Sequence, residues 1–314
     1  SELMSAADMV VATGGMGMVK AAYSSGKPAI GVGQGNVQCI IDEDADIADA
    51  VGKIIIGRAF DNGLICLGEQ TVFVPEDKEA EFVAEMKKQG GYLVEGEENV
   101  DKLREGLFPG GGAFSRVVVG MFADQVSDEI GLGAPKGTRV LFAKAKALGA
   151  GDVLCREKLC PVIAFFTVDG WEAACELSIR ILQNEGAGHT MTLHTKNKDV
   201  VREFALRKPV SRILVNTPGA LGGVGASTGL APALTLGCGA VGGSATSDNI
   251  TPMNLINIRR VAWGLCELED LRKGSPVPKD EPSCECGTKT DLTPEDIEAI
   301  TREIMKRLGA GLGK

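Results

Sequence analysis

Residues 162–215 read VIAFFTVDGWEAACELSIRILQNEGAGHTMTLHTKNKDVVREFALRKPVSRILV, and their pattern decides the fold class. Val162 to Thr167 is a short, nearly unbroken apolar run, as expected of a strand covered on both faces. Gly170 to Gln183 reads as a helix, Thr190 to His194 as a strand, Lys198 to Arg207 as a second helix and Arg212 to Val215 as a third strand. Strands alternating with helices in this way predict an α/β architecture with a mainly parallel sheet.

The same alternation extends toward the N-terminus. Met9 to Ala12 reads as a buried strand, Thr13-Gly14-Gly15-Met16-Gly17 as a glycine turn, and Met18 to about Ser24 as a helix. Gly31 to Ile41 mixes glycines with apolar residues and ends at an acidic run, Asp42 to Asp46, which caps a helix carrying Ile47, Val51, Ile54 and Ile55. Asp61-Asn62-Gly63 breaks the chain before Leu64-Ile65-Cys66, and further strands are expected at Thr71 to Val74 and Arg139 to Phe142, with a helix over Glu76 to Gln89. Asn216 to Gly243 is rich in glycine and poor in charge, which predicts ordered loops packed against something rather than a free linker. Gly274 to Asp291, with Pro276, Pro278 and Pro282, has the composition of a linker. Beyond it Thr293 and Pro294 start a helix on which Ile297, Ile300, Ile304 and Leu308 form one apolar stripe, ended by Gly309.

Composition narrows the function classes. The 314 residues are 44% hydrophobic and 24% charged, with a mean hydropathy of +0.07, the balance of a globular chain with no run long enough to be a membrane span. A net charge of −9 with no Lys or Arg cluster argues against a nucleic-acid surface. With only His189 and His194 there is no His-rich metal site, and no cysteine pair has the CxxC spacing of a zinc or thioredoxin-type site, so no metal is expected. Nine scattered cysteines in a chain that needs no staples indicate a reducing, cytoplasmic compartment.

Four short stretches carry candidate chemistry. The turn Thr13 to Gly17 offers backbone N–H groups to a phosphate or a nicotinamide, although a glycine turn there is equally a structural device. Cys66 follows a polar turn that exposes a thiol, whereas a cysteine taken at random is a small buried hydrophobe. Glu157 stands before the strand beginning at Val162, and Gly188-His189-Thr190 stands at a loop-to-strand junction; both stretches also suit ordinary structural duty.

The order of these pieces is more specific than any one of them. Residues Thr13 to Pro28, Gly31 to Asn36, Phe60 to Cys66, and Leu234-Thr235-Leu236-Gly237-Cys238-Gly239 together resemble the coenzyme-A-acylating aldehyde dehydrogenases, in particular the acetaldehyde and propionaldehyde members, over roughly residues 1 to 265. The resemblance implies an aldehyde dehydrogenase-like catalytic domain preceded by the end of a Rossmann-type cofactor domain. Residues 1–30 would close the NAD-binding domain, 31–235 form the catalytic domain, and 236–273 complete the core and return to the cofactor or oligomerisation region. A linker over 274–291 and an amphipathic helix over 292–314 would follow. It further implies that the first strands of the cofactor domain precede Ser1, and that this chain alone turns over weakly or not at all.

Carried over residue by residue, the resemblance makes Cys66 the nucleophile that forms a thiohemiacetal and then a thioacyl-enzyme. Thr13, Gly14 and Gly15 would line NAD, Glu157 would position its nicotinamide ribose, and Gly188, His189 and Thr190 would shape the site or the path of coenzyme A. Hydrolytic relatives carry a general-base Glu in the block that reads here Ile30-Gly31-Val32-Gly33; the matching position is Gly31, which favours transfer to a thiol over hydrolysis. Leu67-Gly68 departs from the two small residues usual after the nucleophile. The implied partners are a short aldehyde, coenzyme A and further copies of the chain. The terminal helix resembles the encapsulation peptides of enzymes housed in bacterial microcompartments, with a shell protein as its partner. Two other readings stay open at this level: an acyl-phosphate or semialdehyde reductase of the same superfamily, and an inactive cargo protein bound to a shell.

Overall fold

The computed structural model describes residues 2–146, 151–274 and 302. Ser1–Ile256 form one compact unit and Asn257–Lys314 a second. The first unit opens with helix α1 (Glu2–Ala6), strand β1 (Val10–Thr13), helix α2 (Met16–Tyr23) and strand β2 (Ala29–Val32). β1 and β2 pair in parallel as a small sheet, with α2 as the connection.

The larger sheet holds β3 (Val37–Ile41), β4 (Glu69–Pro75), β5 (Gly91–Leu93), β6 (Val140–Lys144), β7 (Val162–Val168), β8 (Gly188–His194) and β9 (Val210–Val215). Its order is β5-β6-β7-β4-β3-β8-β9, and every neighbouring pair is parallel. The helices are α3 (Ile47–Ala59), α4 (Glu79–Lys88), α5 (Glu97–Leu107), α6 (Ala123–Ile130), α7 (Gly170–Asn184), α8 (Lys198–Arg207) and the short α9 (Gly219–Gly223). Both faces are covered. On one, Cys39, Ile41, Val72 and Phe165 pack with Val51, Ile54 and Ile55 of α3 and Phe82 of α4. On the other, Ile40, Phe73, Met191 and Leu193 pack with Leu103 of α5, Ile181 of α7 and Phe204 of α8. This two-sided burial is why β7 reads as an unbroken apolar run.

Boundaries move where local chemistry differs from the apolar pattern. Helix α2 begins at Met16 rather than Met18, because Gly15 serves as its N-cap. The block from Gly31 to Ile41 resolves into two strands separated by the short link Gly33–Asn36. The stretch read as one helix from Glu76 opens with a tighter turn, Glu76–Lys78, before α4. Between β3 and β4 the register shifts after the Val37 and Glu69 pair, so that Gln38 meets Thr71 and Gln70 falls at the irregularity. In the second unit the described residues include α10 (Leu268–Arg272) and leave Val261 and Trp263 exposed. The terminal stripe Ile297, Ile300, Ile304 and Leu308 lies outside the described residues. Among the described residues no helix is long and apolar enough to cross a membrane, and no cluster of three or more His, Cys, Asp or Glu side chains could hold a metal.

Candidate active site

After α3 the chain reverses through three left-handed residues, Asp61 (φ 49°), Asn62 (φ 50°) and Gly63 (φ 71°). Asp and Asn tolerate that conformation better than other side chains do, and Gly63 has a second reason to be glycine. A Cβ there would lie 2.6 Å from the Cys160 carbonyl carbon and 2.9 Å from the Pro161 nitrogen. The next turn closes when the Gly68 N–H donates to the Ile65 carbonyl at 3.1 Å, which leaves Cys66 half-buried just ahead of β4.

Gly35, in the link between β2 and β3, touches this turn. A Cβ at Gly35 would overlap the Cys66 carbonyl oxygen and come within 2.9 Å of the Cys66 Cβ. The Gly35 N–H donates to Glu157 Oε1 at 3.0 Å, so one glycine contacts the Cys66 turn and holds the carboxyl of Glu157, itself buried. Chain connectivity makes this meeting possible: Gly35 precedes β3, Cys66 precedes β4, Glu157 precedes β7 and Gly188 opens β8. All of these lie at the amino edge of parallel strands, and Gly33–Gly35 also leave the carboxyl end of β2.

Burial pushes the Cys66 thiol up to about 12; Glu157 and Cys238 add to the effect, while Arg212 opposes it. Burial, with Glu185 as a like-charged neighbour, lifts the Glu157 carboxyl to about 7. The resting site therefore holds a neutral thiol beside a carboxyl that titrates near neutrality. Such a thiol becomes a nucleophile only if a proton leaves as the new bond forms.

Thr13, Gly14 and Gly15 stand at the carboxyl end of β1 and the start of α2. Thr13 Oγ1 lies 3.4 Å from Thr235 Oγ1, and a Cβ on Gly15 or Gly17 would meet nothing within 4 Å, so the helix start is uncovered. Next to it Met16 joins Gly33, Gln34, Glu185, Gly186 and Cys238 in lining a cleft of about 290 Å3. Gly188 (φ 82°) is pressed behind two residues that line this cleft, Cys238 and Gly242, where a Cβ would overlap the Cys238 carbonyl and lie 2.5 Å from the Gly242 nitrogen. His189 and Thr190 are buried in β8, and neither side chain has a hydrogen-bond partner. Burial, then the nearby Arg212 charge, bring His189 down to about 3, so its ring is neutral at physiological pH. The structure thus joins Cys66 to Glu157 through Gly35 and joins Thr13–Gly15 to the cleft through Met16; it makes no hydrogen bond from the His189 or Thr190 side chain to either Cys66 or Glu157.

Gly31 leaves no room for a carboxylate. A Cβ there would stand 2.8 Å from Val19 Cγ1 and 2.9 Å from Tyr23 Cε2, facing α2. Leu67 is buried under α9, where Gly223 makes space for it. Sequence reasoning passed over Gly35, Arg58, Gln70 and Arg212. The available signal was a charged and an amide residue, Glu69-Gln70, opening an otherwise apolar strand, and an arginine, Arg58, closing an apolar helix.

The aldehyde dehydrogenase family model matches residues 5–102, the span containing Thr13–Gly15, Gly35 and Cys66. The acetylating succinate-semialdehyde dehydrogenase of Clostridium kluyveri is 42% identical over 262 residues, which are 83% of this chain and 58% of that protein. The chain is homologous to acetylating aldehyde dehydrogenases. A solved probable aldehyde dehydrogenase from Listeria monocytogenes EGD-e, 50% identical, superposes on this aldehyde dehydrogenase homologue with a TM-score of 0.82, over 86% of this chain and 60% of that one. At 25% identity and a TM-score of 0.71, it also superposes on the propionaldehyde dehydrogenase of Rhodopseudomonas palustris, solved with bound CoA and an acylated cysteine, over 78% of this chain and 55% of that one. The propionaldehyde dehydrogenase of the Clostridium phytofermentans fucose-utilisation microcompartment is 28% identical with a TM-score of 0.69, over 78% of this chain and 54% of that one. The homologue thus spans between 54% and 60% of the length of these four relatives.

Proposed function

We propose that this chain carries the catalytic thiol of a CoA-acylating aldehyde dehydrogenase that oxidises a short aldehyde, such as propanal or acetaldehyde, to an acyl-CoA with NAD. The observation that carries the reading is the Cys66 turn, a half-buried cysteine whose carbonyl and Cβ pack on Gly35 while the N–H of that same glycine holds Glu157. The acylated cysteine in the CoA-bound R. palustris relative supports it.

In this reading Cys66 adds to the aldehyde carbonyl carbon as its S–H proton leaves, giving a thiohemiacetal. The positive charge of Arg212 favours the sulfur anion in that step, and protonation of Glu157 removes an opposing charge. A bound nicotinamide dinucleotide supplies the hydride acceptor that takes the adduct to the thioester level. Thr13, Gly14 and Gly15 at the uncovered start of α2 would hold it, with Glu157 toward its ribose; the open space in front of Gly15 and Gly17 is what makes the fit. The coenzyme A thiol then attacks the Cys66 thioester, and Cys66 leaves as the thiol. Gly31 provides no carboxylate to activate water, which favours this transfer over hydrolysis. Gly188, His189 and Thr190 shape the wall along which coenzyme A approaches.

The protein is expected to work as a homo-oligomer in the cytoplasm, inside a bacterial microcompartment, with residues 292–314 docking on a shell protein. The C. phytofermentans relative supports the compartment, and the apolar stripe Ile297, Ile300, Ile304 and Leu308 supports the docking. The deciding experiment uses the enzyme expressed from the complete reading frame, supplies propanal, NAD and coenzyme A, and follows NADH with propionyl-CoA. Cys66→Ala is expected to abolish both products while leaving the fold intact; retained aldehyde-dependent NADH formation would overturn the assignment. Removing residues 292–314 is expected to end co-purification with shells without changing turnover.

A further inference from the structure

Arg58, in the last turn of α3, is fully buried beneath the site, and the mechanism above makes no use of it. Its Nη2 donates to the Lys158 carbonyl at 2.5 Å and also to the Cys160 carbonyl. Gln70 grips the same peptide from β4: its Oε1 accepts from the Lys158 N–H at 3.0 Å and its Nε2 donates to the Lys158 carbonyl at 3.1 Å. The Lys158 ammonium turns back and donates to the carbonyls of Leu154 at 2.6 Å and Arg156 at 2.9 Å. Every residue flanking Glu157 is therefore tied down by a buried polar group.

The same guanidinium also supports the nucleophile turn. A Cβ on Gly68 would meet Arg58 Nη1 at 3.1 Å, so the turn that carries Cys66 rests directly on it. Arg58 Nε and Nη1 make no hydrogen bond, and the nearby Glu69 carboxyl, which accepts from the Gly219 N–H at 2.7 Å, is itself buried and lifted by that burial to about 8. Well-packed apolar groups would commonly stabilise such a place at least as well as a buried guanidinium with unpaired donors. What an apolar group lacks is a fork that can hold two carbonyls of one loop while propping up another.

We infer that Arg58 and Gln70 are positioning residues that fix the carboxyl of Glu157 relative to the Cys66 turn. The inference rests on the proposed pairing of Cys66 with Glu157, and the test separates the two. The readout is alkylation of Cys66 by iodoacetamide as a function of pH, which needs neither cofactor nor turnover. Glu157→Gln removes a negative neighbour and moves the rate profile to lower pH, with alkylation at pH 8 about tenfold faster for each unit of displacement. Gln70→Met frees the Lys158 peptide, lets Glu157 move away from Cys66 and displaces the profile in the same direction, at least threefold in rate. In the Glu157→Gln background the same substitution changes the rate by less than 1.5-fold, because its effect runs through that carboxyl.

An equal acceleration by Gln70→Met in both backgrounds would mean simple loosening and would overturn the inference, as would no acceleration in either while Glu157→Gln acts. If Glu157→Gln alone leaves the profile in place, the Cys66 and Glu157 pairing fails instead. Arg58→Lys keeps the charge but not the fork, and is expected to behave as Gln70→Met does. Should that variant not fold, Gln70→Met still decides the matter.

Discussion

At Gly35 one added methyl group has to share space with the Cys66 carbonyl and Cβ, and Gly63, three residues before Cys66, already lies against the Cys160 peptide. Gly35→Ala is therefore expected to cost about 1–3 kcal/mol in urea unfolding and to change Cys66 alkylation, as overpacking of a rigid site does. A second prediction concerns the thiol. Because burial holds Cys66 well above its ordinary value, the thiolate is scarce at neutral pH and increases as pH rises. Its alkylation rate should climb roughly tenfold per pH unit from 7 to 9. A plateau below pH 8 would contradict this. Cys66 and Glu157 become legible in the sequence only through the order of long motifs, since Gly35, which joins them, lies 122 positions from Glu157 in the chain. Gly35 itself sits in a run of glycines with no local mark of its contact, and Arg58 and Gln70 declare their roles only once the Lys158 peptide is folded onto them.

The elements divide by how much of their surface is apolar. Strand β7 and helix α7 were readable because they are covered on a broad face, and the apolar period records that burial. Strand β5 has three residues, too few for a period, and α5 is so charged that Val100, Leu103 and Leu107, its buried stripe, are outnumbered in the sequence. That charge has a use. Arg104 of α5 forms a fork with Asp152, Nε to Oδ1 at 3.0 Å and Nη2 to Oδ2 at 2.7 Å, tying the helix to the turn beyond β6. Burial works against the Asp152 charge, but Arg104 and the N–H groups of Leu154 and Lys146 outweigh it and hold the carboxyl below its ordinary range. Asp152→Asn should cost about 1.5–3 kcal/mol at pH 7. Since the folded-state value is depressed, this contribution is complete above an unfolded value of about 3.9 and fades as pH falls through the folded one. Urea unfolding of wild type and variant should therefore converge in acid; a gap that stays constant below pH 3 would refute the ion pair as its source.

On the scale of the whole molecule, the described part of the second unit leaves large apolar side chains in water, with Val261 at 81% and Trp263 at 79% exposure. A contiguous apolar stretch of this kind marks an interaction surface. Val261→Glu combined with Trp263→Ser is expected to shift the proposed homo-oligomer to a smaller species in sedimentation, while an unchanged profile would overturn this surface as its interface. The larger sheet carries one more consequence. Ligands of open α/β sheets commonly sit at the carboxyl ends of the strands, yet Gly35, Cys66, Glu157 and Gly188 all gather at the amino ends. The turns at the other rim, such as Val94–Gly96 after β5 and Thr195–Asn197 after β8, have no part in the reaction proposed above. Glu95 and Lys196 there are exposed and offer grafting points for a fluorophore or a surface tether on the rim away from the proposed chemistry.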